Sequence, residues 1–383
     1  MPYTFDPEQQ ALAEAVAQLC ARECGTREKR DELTDHGRWH HSPRLYQRCA
    51  DAGWLGIGIP EEYGGSGGGL VDRCVFIEET ARGMAPVGGY ATSAIVSGPV
   101  LRFGSEQQRK EILSAIAGGR VQAIAMTEPG AGSDVSRISC RARRGPDGFV
   151  VNGQKTFISN AHIAENILLI ARTSGEPGAH DGLTMLIVPA DSPGIEVRPI
   201  ATMAGPGEVN DVYFTDCVVP EANVVGQVDG AWMQLMAGLN HERLYLAAVM
   251  LGIARRAFDD ALGYIKERHQ FGKPIGKNQA LRHRVADMAT EIECCSLLTY
   301  DVAAKVDASP DDVLAHMRQA SFAKLKVTET AKQVTLEGMQ MLGGYGYTRE
   351  YDMEGLVRAS LVSTIYGGTS EIQRDIIAKS YGL

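Results

Sequence analysis

The segment MTEPGAGSD at 126–134 combines small residues with a hydroxyl side chain directly after an apolar stretch. Small residues let backbone N–H groups approach a phosphate closely, and the hydroxyl of Ser133 can donate a further hydrogen bond. The same composition is also typical of an ordinary tight loop. Taken alone, the segment leaves a phosphate site and a structural turn equally open.

A second segment, NGQKTFISN at 152–160, places an aromatic residue close to a hydroxyl. We expect a hairpin turn at Asn152-Gly153, followed by a strand with Phe157 and Ser159 on the same side. An aromatic ring and a hydroxyl donor suit the edge of a flavin, whose N5 gains electron density on reduction. As strand residues, the two could equally pack in the core.

Later segments could bind the phosphates and ring of a dinucleotide. RHQFGK at 268–273 ends a predicted long helix and carries positive charge and an aromatic side chain. Basic residues at a helix C-terminus also complement the helix dipole without any ligand. Glycine-rich stretches at 343–346 and 366–371 add two loops with accessible backbone.

A carboxylate on an apolar helix is the candidate base. Glu242 shares a helical stripe with Leu239, Leu246, Val249 and Ile253. Desolvation on such a face would raise the pKa of the carboxyl group toward that of a useful base. The alternative is an exposed glutamate in the first turn, stabilised by the helix dipole or by Arg243.

The glycine-rich stretch at 64–69 contains GxSxG, centred on Ser66. A hydrolase nucleophile elbow requires a strand before this motif and a helix after it. Here the preceding residues are Glu61, Glu62 and Tyr63, and more glycine follows. The hydrolase interpretation is therefore disfavoured.

The elements that must position these residues change in type twice along the chain. Asp6-Pro7-Glu8 predicts the start of a helix that reaches Leu19, and helical segments continue to about residue 119. After Pro220 the pattern is helical again, with breaks at 270–276, 309–310 and 343–346. Between them lie β-rich stretches at 121–126, 149–151, 167–171, 184–188 and 212–214. This spacing indicates an antiparallel barrel or sandwich, and the chain lacks the strand–helix alternation and GxGxxG of a doubly wound nucleotide-binding domain.

Composition limits the class of protein further. The chain has 383 residues, of which 44% are hydrophobic, and 47 acidic residues against 38 basic ones, so we expect a globular protein without a nucleic-acid partner. We see neither a signal peptide nor a membrane anchor. The eight cysteines lack CxxC spacing, and we expect Cys294-Cys295 to be packed thiols in a cytoplasmic protein.

Together these segments resemble the acyl-CoA dehydrogenase family, in order and spacing, over essentially the whole chain. The resemblance rests on MTEPGAGSD (126–134), NGQKTFISN (152–160), RHQFGKPIGKNQ (268–279), QMLGGYGY (340–347) and IYGGTSEIQR (365–374). It implies an all-α N-terminal domain at 1–120, a middle β-barrel domain at 121–225 and a C-terminal four-helix bundle at 226–383. It also implies FAD, an acyl thioester substrate, an electron-transfer flavoprotein or similar acceptor, a role in fatty-acid metabolism, and a homotetramer.

The resemblance also carries site residues over to this chain. Thr127, Phe157 and Ser159 would hold the isoalloxazine, and Ser133 would lie between the FAD phosphates and the thioester. Because FAD in this family spans a subunit boundary, further contacts would come from a neighbouring subunit, namely Arg268, Phe271, Gln279, Gln340 and Gly344. Thr369 and Glu371 resemble further FAD contacts.

The resemblance narrows the choice of base. Medium- and short-chain members carry their catalytic glutamate where this chain has Gly367, whereas isovaleryl-type and long-chain members place it in an ER dipeptide that matches Glu242-Arg243. We therefore expect Glu242 to take the α-proton while hydride moves to flavin N5. The backbone N–H near Gly367 or Gly368 would polarise the thioester carbonyl, and Asn240 and Arg243 would contact the carrier arm.

The acyl chain and the direction of the reaction stay open at this stage. Tyr366 disfavours a substrate branched close to the carbonyl, and we expect the pocket floor at 87–91, although a helix break explains its glycines equally well. An acyl-carrier-protein dehydrogenase, an enoyl-thioester reductase and an oxidase could share the fold. A flavin-free scaffold is a fourth alternative.

Overall fold

The computed structural model of the chain describes residues 3–310 and 312–383, and the side chains of all of these except 236, 237 and 313–315. The chain forms two compact units. The helical unit comprises residues up to 30, 69–85 and 240–383, and the sheet unit comprises 31–68 and 86–239. Residues 69–85 belong to the same compact unit as the C-terminal helices, and the division into three consecutive domains stays a prediction.

Helices precede and follow the strands along the chain, as the sequence predicted. The helices are α1 (Pro7–Cys24), α2 (Arg27–Thr34), α3 (Pro43–Asp51), α4 (Leu70–Arg82), α5 (Gly89–Phe103), α6 (Glu106–Gln108), α7 (Ser114–Ala117), α8 (Ala231–Glu267), α9 (Gln279–Ala308), α10 (Val313–Leu342), α11 (Met353–Val362) and α12 (Ser370–Lys379). None of the helices in the described part of the chain is both long and apolar enough to cross a membrane.

The predicted start of α1 is confirmed in atomic detail. The carboxylate of Asp6 accepts hydrogen bonds from the backbone N–H groups of Glu8 and Gln9, each at 2.9 Å. The side chain of Gln9 in turn accepts from the backbone N–H of Asp6, which completes a capping box. The helix continues to Cys24, five residues beyond the predicted end at Leu19, because Val16, Leu19, Cys20 and Cys24 form one buried face.

The strands of the sheet unit form one sheet of eight. They are β1 (Gln122–Ala125), β2 (Arg141–Gly145), β3 (Gly148–Ser159), β4 (Asn166–Arg172), β5 (Leu183–Pro189), β6 (Ile195–Pro199), β7 (Val209–Val219) and β8 (Val224–Val225). Their order is β6-β7-β3-β2-β4-β5-β8, with β1 paired to β4. The residues of this sheet contribute to two buried apolar clusters. Strands β2, β6 and β8 were not among the sequence predictions.

Two details of the sheet correct the expectation of a purely antiparallel arrangement. Strand β1 runs parallel to β4, and β2 also meets β4 in parallel at Arg141 and Arg172. Between β1 and β2 the chain crosses over through residues 126–140, which contain the MTEPGAGSD segment. Both strands lie on the same edge of β4, so the candidate phosphate loop, called the crossover loop below, is a long excursion between two parallel segments and not a hairpin.

The predicted hairpin turn at Asn152-Gly153 is wrong. Both residues lie inside the continuous strand β3, where the register with β7 shifts at a β-bulge between Val151 and Gly153. Gly153 has φ of +148°, and a Cβ there would meet the backbone of Cys140 at 2.8 Å. The Asn152 amide donates across the sheet to Asp216 at 3.0 Å. The Asn-Gly pair therefore bends the strand without reversing it.

The helical breaks expected in the C-terminal part are confirmed. A two-stranded hairpin, β9 (His269–Gln270) and β10 (Lys273–Pro274), separates α8 from α9. Helix α9 ends at Ala308, and α10 ends at Leu342, before the glycine-rich segment. The cysteine expectation is only partly correct, because Cys295 is buried but Cys294 is exposed.

Candidate active site

Glu242 lies in the interior of a long helix. Helix α8 starts at Ala231, so the carboxylate is far from the first turn, and the alternative of an exposed first-turn residue is wrong. The neighbouring residues Leu244, Tyr245 and Ala247 are fully buried, whereas Glu242 and Leu246 are only partly buried. The stripe that carries Glu242 is thus only partly buried from Leu239 to Val249, and it becomes buried at Ile253.

The structure places Glu242 beside Gly367, the position that lacks a carboxylate. Gly367 has φ of +58°, and a Cβ built there would lie 3.7 Å from Oε1 of Glu242 and 2.1 Å from Cδ1 of Leu246. A side chain at 367 would therefore meet both a strained backbone and an occupied space. The carboxylate of Glu242 therefore lies next to the space that a side chain at 367 would enter.

Burial raises the pKa of Glu242, while the positive charges of Arg243 and Lys324 oppose the rise. Within the part of the chain that the structure describes, Glu242 forms no ion pair at 4.0 Å or less, so the alternative of direct pairing with Arg243 is also wrong. A desolvated carboxylate without a paired cation is suited to accept a proton.

Arg243 is oriented by its neighbour on the same helix. Its Nη1 donates to Oδ1 of Asn240 at 2.9 Å, and both side chains are buried. The Nε of Arg243 is buried and has no hydrogen-bond partner among the described residues. A buried donor without a partner is costly, and an acceptor on a substrate would satisfy it.

Two residues that sequence reasoning missed hold the loop containing Gly367. Lys324 and Gln373 are fully buried and donate to backbone carbonyl oxygens between Ser363 and Gly368. The sequence contained a signal for Lys324, because it lies four residues after Ala320 and three before Val327 on an apolar stripe of α10. Gln373 lies inside the IYGGTSEIQR motif.

In the sheet unit, a buried ion pair joins the first two sequence motifs. Nζ of Lys155 donates to Oε1 of Glu128 at 2.7 Å and to the carbonyl oxygen of Met126 at 2.9 Å. Glu128 also accepts from Ser139 and from the backbone N–H of Cys140. Sequence reasoning missed this pair, although both members lie in quoted motifs.

The predicted flavin contacts of the sheet unit lie in the same two sequence segments as the members of this ion pair. The carbonyl oxygen of Thr127 accepts from the backbone N–H of Thr156 at 2.9 Å. Phe157, with φ of +57°, is 61% exposed, so the alternative of core packing is wrong for its side chain. Ser133 is exposed in the crossover loop, and Ser159 is partly buried at the end of β3.

Backbone in the crossover loop faces open space. A Cβ at Gly130 or Gly132 would meet no atom within 4 Å. A tight turn closed by reciprocal hydrogen bonds between Glu128 and Ala131 holds this backbone. Accessible amides, a hydroxyl at Ser133 and an exposed aromatic ring form a donor set that fits a flavin dinucleotide.

In the helical unit, an open cavity of about 670 Å³ lies beside the end of α8. Arg268 and Gly344 line it, and the Arg268 guanidinium lies 5.8 Å from the centre of the Tyr345 ring. The other three predicted contacts in this group do not line the cavity but are also exposed, and they are Phe271, Gln279 and Gln340. Phe271, at the turn between β9 and β10, is 97% exposed.

The two remaining predicted cofactor residues lie at the start of α12. The Thr369 hydroxyl accepts from the backbone N–H of Ile372 at 3.2 Å and so caps the helix, while Glu371 is exposed in its first turn. An N-cap role is thus sufficient to explain the residue type of Thr369.

The glycines at 88 and 89, in the predicted pocket floor, are explained by packing. A Cβ at Gly89 would lie 2.6 Å from Cγ2 of Val121, and one at Gly88 would lie 3.1 Å from the carbonyl oxygen of His40. Close approach therefore accounts for both glycines without a ligand. At the GxSxG stretch, the residues before it form a short 3-10 helix and not a strand, so the elbow geometry is missing there.

Comparison with known proteins agrees with the fold and the motifs. Family models match residues 6–120 (acyl-CoA dehydrogenase, N-terminal domain), 123–217 (middle domain) and 230–382 (C-terminal domain). The mitochondrial isovaleryl-CoA dehydrogenase of Solanum tuberosum is 34% identical over 98% of this chain and 90% of its own length. The caffeyl-CoA reductase-Etf complex subunit CarC of Acetobacterium woodii is 34% identical over 97% of each chain.

A solved structure, an FAD complex of PigA, matches with a TM-score of 0.91 at 26% identity and covers 100% of both chains. The chain belongs to the acyl-CoA dehydrogenase family. It is a FAD-dependent oxidoreductase, and the hydrolase and flavin-free interpretations are set aside.

Proposed function

We propose that Glu242 is the base that removes the α-proton in the dehydrogenation of an acyl-CoA thioester. The observation that carries this proposal is the position of its carboxylate, 3.7 Å from where a Cβ of residue 367 would lie. Leu246 and the positive φ of Gly367 disfavour a side chain at that position. Glu242 is the carboxylate that reaches this space.

The environment of Glu242 suits proton abstraction. Burial raises the pKa of Glu242, which strengthens it as a base, and the nearby cations Arg243 and Lys324 stabilise the ionised form that must be present before reaction. The free Nε of Arg243 is a donor for an oxygen of the carrier arm. The backbone N–H of Gly368 is a donor for the thioester carbonyl, whose polarisation acidifies the α-proton.

When bound, FAD supplies the acceptor for the hydride that leaves the β-carbon. Thr127, Ser133, Phe157 and Ser159 would hold it from the sheet unit. The exposed group Arg268, Phe271, Gln279, Gln340 and Gly344 supports a homotetramer in which one subunit contributes to the cofactor site of another, because such exposure suits contact with a second chain. Thr369 and Glu371 complete the proposed cofactor set.

The proposal extends to partners and compartment. CarC is named as part of a reductase-Etf complex, which supports an electron-transfer flavoprotein as the acceptor here and keeps reduction of an enoyl thioester as the second candidate. The eight cysteines form no disulfide, which supports a reducing compartment such as the cytoplasm. An acyl carrier protein in place of CoA stays an alternative substrate carrier.

Anaerobic mixing of the Glu242→Gln variant with a panel of acyl-CoA thioesters tests the proposal. We expect the variant to keep its FAD absorbance but to bleach on the order of 10²–10⁴-fold more slowly than wild type, because general-base catalysis contributes about that much. Glu337→Gln is the matched control and should bleach normally, because Glu337 is a partly exposed glutamate that pairs with Arg284 in the same unit. Normal bleaching by Glu242→Gln would remove it from this role.

A further inference from the structure

One buried cation, the ammonium group of Lys324, binds two backbone carbonyl oxygens of the loop that carries Gly367. Nζ of Lys324, on α10, donates to the carbonyl oxygen of Ser363 at 2.9 Å and to that of Gly368 at 2.8 Å. These two carbonyls lie at the ends of the segment 363–368, so a single ammonium group closes it. The side chain is fully buried.

Gln373 supports the same segment from α12. Its Nε2 donates to the carbonyl oxygens of Gly367 and Gly368, each at 3.1 Å. No cis peptide bond occurs among the described residues, and in a trans peptide the N–H points opposite to the carbonyl. Because the Gly367 carbonyl points toward Gln373, the N–H of Gly368 points away from it. The two side chains therefore fix the direction of the backbone donor proposed for the thioester.

The same cation acts on the proposed base. Lys324 forms no ion pair at 4.0 Å or less with any described carboxylate. The charges of Glu242, Glu329, Arg243 and Glu371 act on its ammonium group at longer range and influence its pKa. Among the residues that the structure describes, the charged groups that act on Glu242 are Arg243 and Lys324. Burial lowers the pKa of Lys324 to about 8, with Glu242 opposing the shift, so the side chain is largely charged at neutral pH.

We propose that Lys324 is a positioning residue for α-proton transfer, which fixes the Gly367–Gly368 backbone together with Gln373 and places its positive charge behind the loop that faces the carboxylate of Glu242. This inference rests on the proposed role of Glu242. Lys324 itself does not touch the reacting atoms. The side chain of Lys324 thus supports the loop that carries the Gly368 N–H, the donor for the thioester oxygen. Its charge also acts on Glu242, the acceptor for the α-proton.

The pH dependence of flavin reduction separates this role from a purely structural one. Glu242 must be ionised to act, so the rate falls as pH falls through its pKa. Removal of the Lys324 charge raises that pKa, because the charge lowers it. In Lys324→Met we expect the low-pH midpoint of the rate profile for flavin reduction to rise by about one pH unit. At a pH below both midpoints, this shift lowers the rate by about tenfold.

Gln373→Leu is the companion variant, since it removes hydrogen bonds to the same loop but no charge. We expect its limiting rate to fall on the order of tenfold through loss of orientation, with the midpoint unchanged. The control is Lys326→Met on the same helix, whose ammonium pairs with Glu291 in a partly exposed position. It should match wild type in rate and midpoint.

The measurement is stopped-flow flavin reduction by an acyl-CoA across a range of pH, with FAD content and thermal melting recorded for each holoenzyme. A folded Lys324→Met with the wild-type midpoint, or an equal shift in Lys326→Met, would overturn the inference. If Lys324→Met does not fold, Lys324→Gln and Gln373→Leu carry the test, and an unchanged limiting rate in Gln373→Leu contradicts the positioning role. If the Lys324 prediction fails while Glu242→Gln is inactive, the assignment of Glu242 as the base still stands. If Glu242→Gln is active, the assignment of Glu242 as the base is refuted.

Discussion

Two fully buried lysines hold loops in the two units, but they are neutralised in different ways. In the sheet unit, Lys155 has the carboxylate of Glu128 at 2.7 Å. In the helical unit, Lys324 has two carbonyl oxygens at 2.8 and 2.9 Å, and no carboxylate of the described chain lies within 4.0 Å. Lys155 is paired with a carboxylate of the loop that it holds, and Lys324 acts on a neighbouring base.

The difference indicates what each region needs. A buried charge is costly unless it is paired and hydrogen-bonded, so the ion pair of Lys155 is suited to fix the crossover loop at 126–134 in one conformation. The pKa of Glu128 is lowered, because the charge of Lys155 and the donors of Ser139 outweigh the effect of burial. Glu242 has no such partner, and its pKa is raised by burial. The carboxylate of Glu128 in the loop thus stays ionised as part of an ion pair. The carboxylate of Glu242 in the candidate active site is unpaired among the described residues and can accept a proton.

The largest predicted effect is on stability, from Glu128→Gln. This variant leaves the Lys155 ammonium buried without its counter-charge, which should cost about 3–5 kcal/mol of unfolding free energy. Denaturant unfolding of the FAD-bound protein measures it. The exposed Glu176, paired with Arg141, is the matched control, and its Gln variant should lose about 1 kcal/mol or less.

The same variant has a predicted pH signature. Because the folded pKa of Glu128 is lowered, its stabilisation is present above the unfolded pKa and is lost as pH falls through the folded value. The gap in stability between wild type and Glu128→Gln should therefore narrow below about pH 4. A gap that stays constant on acidification would contradict the ion pair as its source.

A double variant sharpens the comparison further. Glu128→Gln with Lys155→Met removes both charges, so we expect it to be about 1–3 kcal/mol more stable than the sum of the single changes predicts. Denaturant unfolding of all four proteins gives the coupling energy. Additive losses would show that the two charges do not act as a pair.

The smallest effect concerns the glycine that lies against Leu246. Gly367→Ala should lower stability by about 1–2 kcal/mol more than Gly343→Ala, measured by thermal melting. Both glycines have positive φ, at +58° and +62°, but a Cβ meets Leu246 at the first and nothing within 4 Å at the second. Equal losses of stability in Gly367→Ala and Gly343→Ala would mean that Leu246 can move to make room for a Cβ at position 367.

The sequence predicted the order of helices and strands because hydrophobic periodicity and turn residues are local signals. It also predicted that Glu242 and Gly367 belong together, through the family resemblance. It could not predict that Asn152-Gly153 lies at a bulge, since a hairpin and a bulge both favour glycine with positive φ. Nor could it reveal that Lys324 meets Ser363 and Gly368, because that contact joins residues about 40 positions apart.

A second long-range contact, within the helical unit, shows the same limit. Residues 69–85 join the C-terminal helices in one unit, and the carboxylate of Asp307 accepts from the backbone N–H of Leu70 at 2.7 Å and that of Val71 at 3.0 Å. Asp307 thus satisfies the start of α4 from more than 200 residues away in the chain. A pattern along the sequence does not report on such a contact.

The most direct test of the central claim is exchange of the α-hydrogens of a bound acyl-CoA with solvent deuterium. An acyl-CoA that has α-hydrogens but no β-hydrogen isolates proton transfer from flavin reduction. Wild type and Glu337→Gln should exchange the α-hydrogens, and Glu242→Gln, with its FAD and substrate affinity retained, should do so at least about 100-fold more slowly. Exchange at the wild-type rate in Glu242→Gln would contradict the assignment of the base.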